Sequence, residues 1–123
     1  MTDSVDFVRR LVKEIPAFAP ILATHMDDNY DEILPHVFMG DVSRFVRSLT
    51  ERTPPLPSEA RLLRRSFTFL ESEFVNGSED IQEVISTSFL ENIAESVQGF
   101  EEKWNLPPAL TAELRKILTA WNG

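Results

Sequence analysis

The sequence predicts an all-α fold: a compact antiparallel bundle of five or six helices, or a short helical-repeat-like array, in one domain over 1–123. Three observations predict it. Apolar residues recur at three- and four-residue spacing along most of the chain, as one face of a helix requires. No useful run alternates apolar and polar residues as a half-exposed strand would. Prolines and glycines fall mostly between the periodic segments, at Pro16, Pro54, Pro55, Pro57, Gly77, Gly99, Pro107 and Pro108. With 42% hydrophobic and 26% charged residues over 123 positions, the chain can bury a core without metal or disulfide staples. It has no cysteine, which excludes a disulfide framework, a thiolate zinc site and a cysteine nucleophile.

A first helix is expected over about 4–15. Val8, Leu11, Val12 and Ile15 share one face, Asp6, Arg9, Arg10 and Lys13 the other, and Pro16 ends it. A second runs from Ala17 to Asp28 with Phe18, Ile21, Leu22 and Met26 inward. His25 projects near the centre of that face. A buried histidine with a hydrogen-bond partner is the ordinary reading; a metal or catalytic role is the alternative. The stretch from Asp27 to Asp41 follows, an acidic turn leading into an apolar passage that holds Pro35, His36 and Gly40. The third helix covers about 37–51 on Phe38, Val42, Phe45, Val46 and Leu49. Glycine costs about 1 kcal/mol against alanine inside a helix. Either the helix begins near Asp41, or something approaches the backbone closely at Gly40.

Thr53-Pro54-Pro55-Leu56-Pro57 reads as a stiff polyproline crossover, with Ser58 capping a fourth helix to about Val75. Its main face is Ala60, Leu63, Phe67, Leu70 and Phe74. Leu62 and Phe69 lie nearly opposite, so the helix is sandwiched or shows an aromatic stripe. Asn76-Gly77-Ser78 reads as a helix–helix turn with a left-handed cap. The fifth helix is expected over about 79–97, burying Ile81, Val84, Ile85 and Phe89. Ser88 and Asn92 share that face, and Leu90 falls in an outward row. Phe100–Trp104 is a short helix or an ordered loop. Pro107 and Pro108 start the last helix, whose stripe is Leu110, Leu114, Ile117, Leu118 and Trp121. The sequence ends directly after that stripe, which gives the expectation of a complete domain.

Charge narrows the function classes. The net charge is −8, and residues 14–43 and 66–102 contain six and nine acids without one Lys or Arg. A phosphate-backbone binder needs a positive field, so nucleic acid is not an expected partner. An acidic field steers a basic protein partner, and solubility is the plainer reading of the same charge. The first helix is amphipathic and basic, but Asp3, Asp6 and Glu14 dilute its charge, so membrane-surface binding is not expected. The N-terminus lacks a signal-peptide pattern and no apolar run is long enough to span a bilayer, which predicts a cytoplasmic protein.

Enzyme chemistry finds little to stand on. Asp27-Asp28-Asn29-Tyr30-Asp31-Glu32 matches a calcium loop in composition but not in ligand spacing. The two histidines, His25 and His36, fit no metal spacing on one helix. His36–Asp41 or His25–Asp28 could form a general base, but no nucleophile or phosphate loop accompanies either. The expectation is a non-enzyme without catalytic, cofactor or metal residues. Its partner-binding surface would comprise Asp27, Asp28, Tyr30, Asp31, Glu32, Glu83 and Glu91, and its structural corner Pro35, His36, Gly40, Asp41 and Asn92. Of the aromatic anchors Tyr30, Phe38, Phe69 and Trp104, Tyr30 is the best placed for exposure.

Two passages carry a resemblance. Leu34-Pro35-His36-Val37-Phe38-Met39-Gly40-Asp41 and Ser88-Phe89-Leu90-Glu91-Asn92 resemble the signature passages of a family of small bacterial all-α domains of unknown activity. The resemblance implies a helical-repeat-like domain, and by analogy an immunity-like protein that neutralises a basic toxin. The alternatives are a structural or regulatory domain that self-associates through Leu62 and Phe69, and a His/Asp-dependent hydrolase or metal-binding protein.

Overall fold

The computed structural model describes residues 3–50, 56–94 and 106–122, without the side chains of Trp121 and Asn122. Six helices and no strand lie among the described residues: α1 (Asp3–Glu14), α2 (Ala19–Asp28), α3 (Pro35–Thr50), α4 (Pro57–Asn76), α5 (79–94) and α6 (Pro108–Asn122). The chain is an all-α bundle.

Pro16 has no N–H to continue α1, and the chain tightens into one 3-10 turn, Pro16–Phe18, before α2. The second helix therefore starts at Ala19 rather than Ala17, with Pro20 in its first turn, where a missing N–H is harmless. α2 and α3 form an antiparallel hairpin. Phe18 meets Phe45 edge-on at 5.8 Å near one end, and His25 meets Phe38 edge-on at 5.8 Å near the other.

α1 lies antiparallel to α4. Arg10 donates to Glu73 twice, Nη2 to Oε1 at 2.6 Å and Nε to Oε2 at 3.2 Å, and Arg65 Nη2 donates to the Glu14 carbonyl at 2.8 Å. The hydrogen bond to Glu73 raises the Arg10 pKa above its already high value, so this guanidinium stays charged wherever the fold exists. Phe69 stacks on Phe7 at 6.3 Å, and Leu62, Leu63 and Phe74 also pack partly buried against the core. α4 is thus sandwiched, and its second apolar row is no open stripe.

Three local expectations are corrected. α4 begins at Pro57, not behind a Ser58 cap. Leu56 precedes it, and the Glu59 carboxylate accepts the Leu56 N–H at 2.9 Å. Gly77 is extended, with φ −84 and ψ 169, and supplies no left-handed cap. Its demand is steric: a Cβ there would lie 2.3 Å from the Glu73 carbonyl. The fifth helix is not uniformly α. Glu79–Glu83 and Glu91–Ala94 flank a π-helical segment, Val84–Leu90. Bonds from i to i+5 turn the chain less per residue. Leu90, outward on an α wheel, consequently rotates into the core at 0% exposure. The rest of the expected fifth helix, Gly99 and Phe100–Trp104 lie outside the described residues, as do Pro54 and Pro55.

α6 packs on α4 and α5. Glu71 of α4 accepts the N–H groups of Ala109 and Leu110 at 2.9 and 3.0 Å, which caps the start of α6 from another helix. Ser86 donates to Glu113 at 2.8 Å. Leu110 and Leu114 complete the core around Phe7, Phe18, Phe38, Ile85 and Phe89.

Candidate functional site

The acidic turn joins α2 to α3 as an ordered loop. The N–H groups of Asn29 and Asp31 donate to the Met26 carbonyl at 3.2 and 2.8 Å, and Glu32 N–H donates to the Asn29 carbonyl at 3.0 Å. Closing the chain so tightly places Tyr30 at φ 56 and Asp31 at φ 63. The left-handed region costs an L-residue roughly 1–2 kcal/mol, and here two non-glycine residues occupy it in succession. Tyr30 is 97% exposed at the tip.

His25 holds the turn from below. Its ring is buried, Nε2 accepts the Leu34 N–H at 3.0 Å, and Asn29 Nδ2 donates to the His25 carbonyl at 2.7 Å. Asn29 Nδ2 also lies 3.3 Å from His25 Nδ1, so the ring meets the turn through both nitrogens. His25 therefore spans the turn from the last helical residues of α2 to the entry of α3 and forms no pair with Asp28.

Asp27 and Asp28 end α2, where the helix dipole already presents negative charge; carboxylates there oppose the helix by about 0.3–1 kcal/mol each. Asp27, Asp28, Asp31 and Glu32 are all exposed, and none of the four makes an ion pair among the described residues.

Beside the turn, α3 meets α5 along a polar seam. Pro35 opens α3, with Phe38 N–H bonding the Leu34 carbonyl at 2.9 Å. His36 Nδ1 lies 2.5 Å from Ser88 Oγ, and Asn92 Nδ2 donates to the Ser88 carbonyl at 2.6 Å. One turn beyond His36, Gly40 is buried inside the helix, and a Cβ on it would stand 3.7 Å from Asn92 Nδ2. That is ordinary contact, and the helix already begins at Pro35, so neither a close approach nor a helix start at Asp41 accounts for this glycine. Position 36 faces 88 and 40 faces 92, so the two helices run in the same direction along the seam.

Ser88 lies within the π segment, on the face that the α-helical spacing also assigns to it. Ser88 is nearly buried, its hydroxyl directed at His36 rather than at solvent. The pair joins two helices, with the His36 ring exposed at its outer edge. Asp41 pairs with Arg44 on its own helix, so the His36–Asp41 base is not formed either.

The remaining expected residues divide. Glu83 is exposed upstream of Ser88, which puts it toward the turn end of the seam, whereas the half-buried Glu91 lies downstream. Phe38 is fully buried and Phe69 half-buried, and Trp104 lies outside the described residues. Among the described residues, no three His, Asp or Glu side chains are placed to hold a metal ion. No described helix is long and apolar enough to cross a membrane.

These features define a small all-α domain in which a polar seam and a buried histidine set an exposed acidic turn. A family model described as a domain of unknown function, DUF7674, matches residues 8–122, and the chain belongs to that family. No curated protein and no solved structure gives a match.

Proposed function

We propose that this is a non-enzymatic protein-binding domain that captures a basic partner through the turn at 27–32, with Tyr30 as its anchor. The observation that carries the reading is a tyrosine 97% exposed on a turn that is strapped to a buried histidine. Three local preferences are violated there at once: left-handed backbone at two L-residues, acids at a helix C-terminus, and an aromatic ring in water. A cationic partner that covers the ring relieves the last two. Buried aromatic anchors commonly contribute on the order of 2 kcal/mol or more to an interface. Pre-ordering by His25 and Asn29 spares the loop-ordering cost of association.

The more specific form of this reading is a cytoplasmic bacterial immunity protein neutralising a basic toxin. Its support is the acidic surface and analogy with small acidic immunity proteins. The self-association alternative loses ground, because Leu62 and Phe69 are packed against the core.

The test is affinity capture from the host at low and high salt with the wild type, Tyr30→Ala and the triple charge reversal Asp27→Lys, Asp28→Lys, Asp31→Lys. Retention of one basic protein at low salt, lost at high salt and in both variants, is expected. Equal capture by all three proteins would overturn the assignment.

A further inference from the structure

A groove of about 410 Å³ opens between α2 and α3 beside the acidic turn. Pro20 and Ile21 on α2 and Phe45 on α3 supply its apolar surface, and Thr24 and Asp28 add polar groups along α2. On the α3 side are Asp41 and Arg44, which pair with each other. Arg44 is thereby neutralised as a site for an anion. Asp28 is left as a carboxylate with no ion pair among the described residues, at the negative end of the α2 dipole. The edge-on contact of Phe18 fixes the orientation of the Phe45 ring.

We infer that this groove receives a long cationic side chain of the protein partner, arginine in preference to lysine. The inference rests on the proposed binding function and names what the partner must present. An apolar wall ending in a carboxylate suits a side chain with a hydrocarbon stem and a charged head. A guanidinium adds two features an ammonium lacks: a flat face to lie on Phe45 and a forked donor pair for the Asp28 carboxylate. Thr24 offers a hydroxyl acceptor one helical turn before Asp28. Because Asp28 belongs to both the groove and the turn, one partner segment would place a basic side chain in the groove while covering Tyr30.

The experiment is a nuclear magnetic resonance titration of the whole chain with three octapeptides, in which arginine, lysine or glutamine alternates with glycine. Saturable shifts concentrated at the amides of Ile21, Thr24, Asp28 and Phe45 are expected with arginine, weaker ones with lysine and none with glutamine. Asp28→Asn should weaken the arginine peptide about tenfold, as loss of one charge-assisted hydrogen bond predicts, with a melting temperature no lower than that of the wild type. Arginine shifts spread evenly over the acidic surface, an absence of shifts, or equal affinity for Asp28→Asn would each overturn the groove assignment. If the groove fills as expected but host capture ignores the charge reversals, the proposed function falls instead.

Discussion

His36 Nδ1 and Ser88 Oγ, fifty-two residues apart in the chain, stand 2.5 Å from each other across the α3–α5 seam. The contact joins the two passages that stand out in the sequence, and it does so just where the acidic turn ends. A double-mutant cycle of His36→Ala and Ser88→Ala should return a coupling of about 0.5–1.5 kcal/mol by chemical denaturation. Strict additivity would show that the contact contributes nothing. Neither single variant should lose helix content by circular dichroism.

Gly40 and Gly77 are predicted to respond oppositely to alanine. At Gly40 the new Cβ meets Asn92 Nδ2 at 3.7 Å and Arg44 Nη1 at 3.8 Å, which is ordinary contact. Helix propensity then favours alanine, and Gly40→Ala should be neutral or stabilising by up to about 1 kcal/mol. Gly40→Leu has no room beside Asn92 and should destabilise. At Gly77 the Cβ would sit 2.3 Å from the Glu73 carbonyl and 3.0 Å from Ile81 Cγ2. Gly77→Ala should lower stability by about 1–3 kcal/mol.

Tyr30 and Asp31 hold left-handed backbone that glycine adopts freely. Asp31→Gly should therefore raise the melting temperature modestly, the relief of strain exceeding the added chain entropy by up to about 1 kcal/mol. A lower melting temperature would mean that the Asp31 side chain supports the turn. Tyr30→Gly should likewise keep or raise stability while abolishing partner capture. Such a division would separate the anchor's function from the fold.

His25→Leu keeps an apolar side chain in the core but removes the acceptor of the Leu34 N–H. The expected loss is about 1–2 kcal/mol, near the lower end for an unsatisfied amide because that bond is only partly buried. Hydrogen exchange at Leu34 should accelerate more than exchange at Phe89, which is in the core. Uniform acceleration would assign His25 a general packing role instead.

Much of the fold was legible because apolar periodicity reports burial directly. The stripes of Val8 and Leu11, of Phe67 and Leu70, and of Leu110 and Leu114 all face the core. Leu90 was not legible: a π segment changes the angle per residue, and no residue type marks it. Gly77 departs from the expected left-handed cap because glycine signals either free φ or tight space, and one sequence does not say which. At Gly40 neither meaning applies, since the helix begins at Pro35 and a Cβ would make only ordinary contact with Asn92. At the turn, the acids and the aromatic were visible but their left-handed backbone was not. Nor was the His25 bond to Leu34, since a backbone N–H leaves no trace in residue identity.

The Glu71 cap on α6 bears on the order in which the chain folds. The first N–H groups of α6 find their acceptor thirty-eight and thirty-nine residues upstream, on a different helix. A helix whose cap is borrowed across that distance gains it only when α4 is already formed and in place. Docking of α6 should then be a late event in refolding, and its first turn should open before α4 when the domain is stressed.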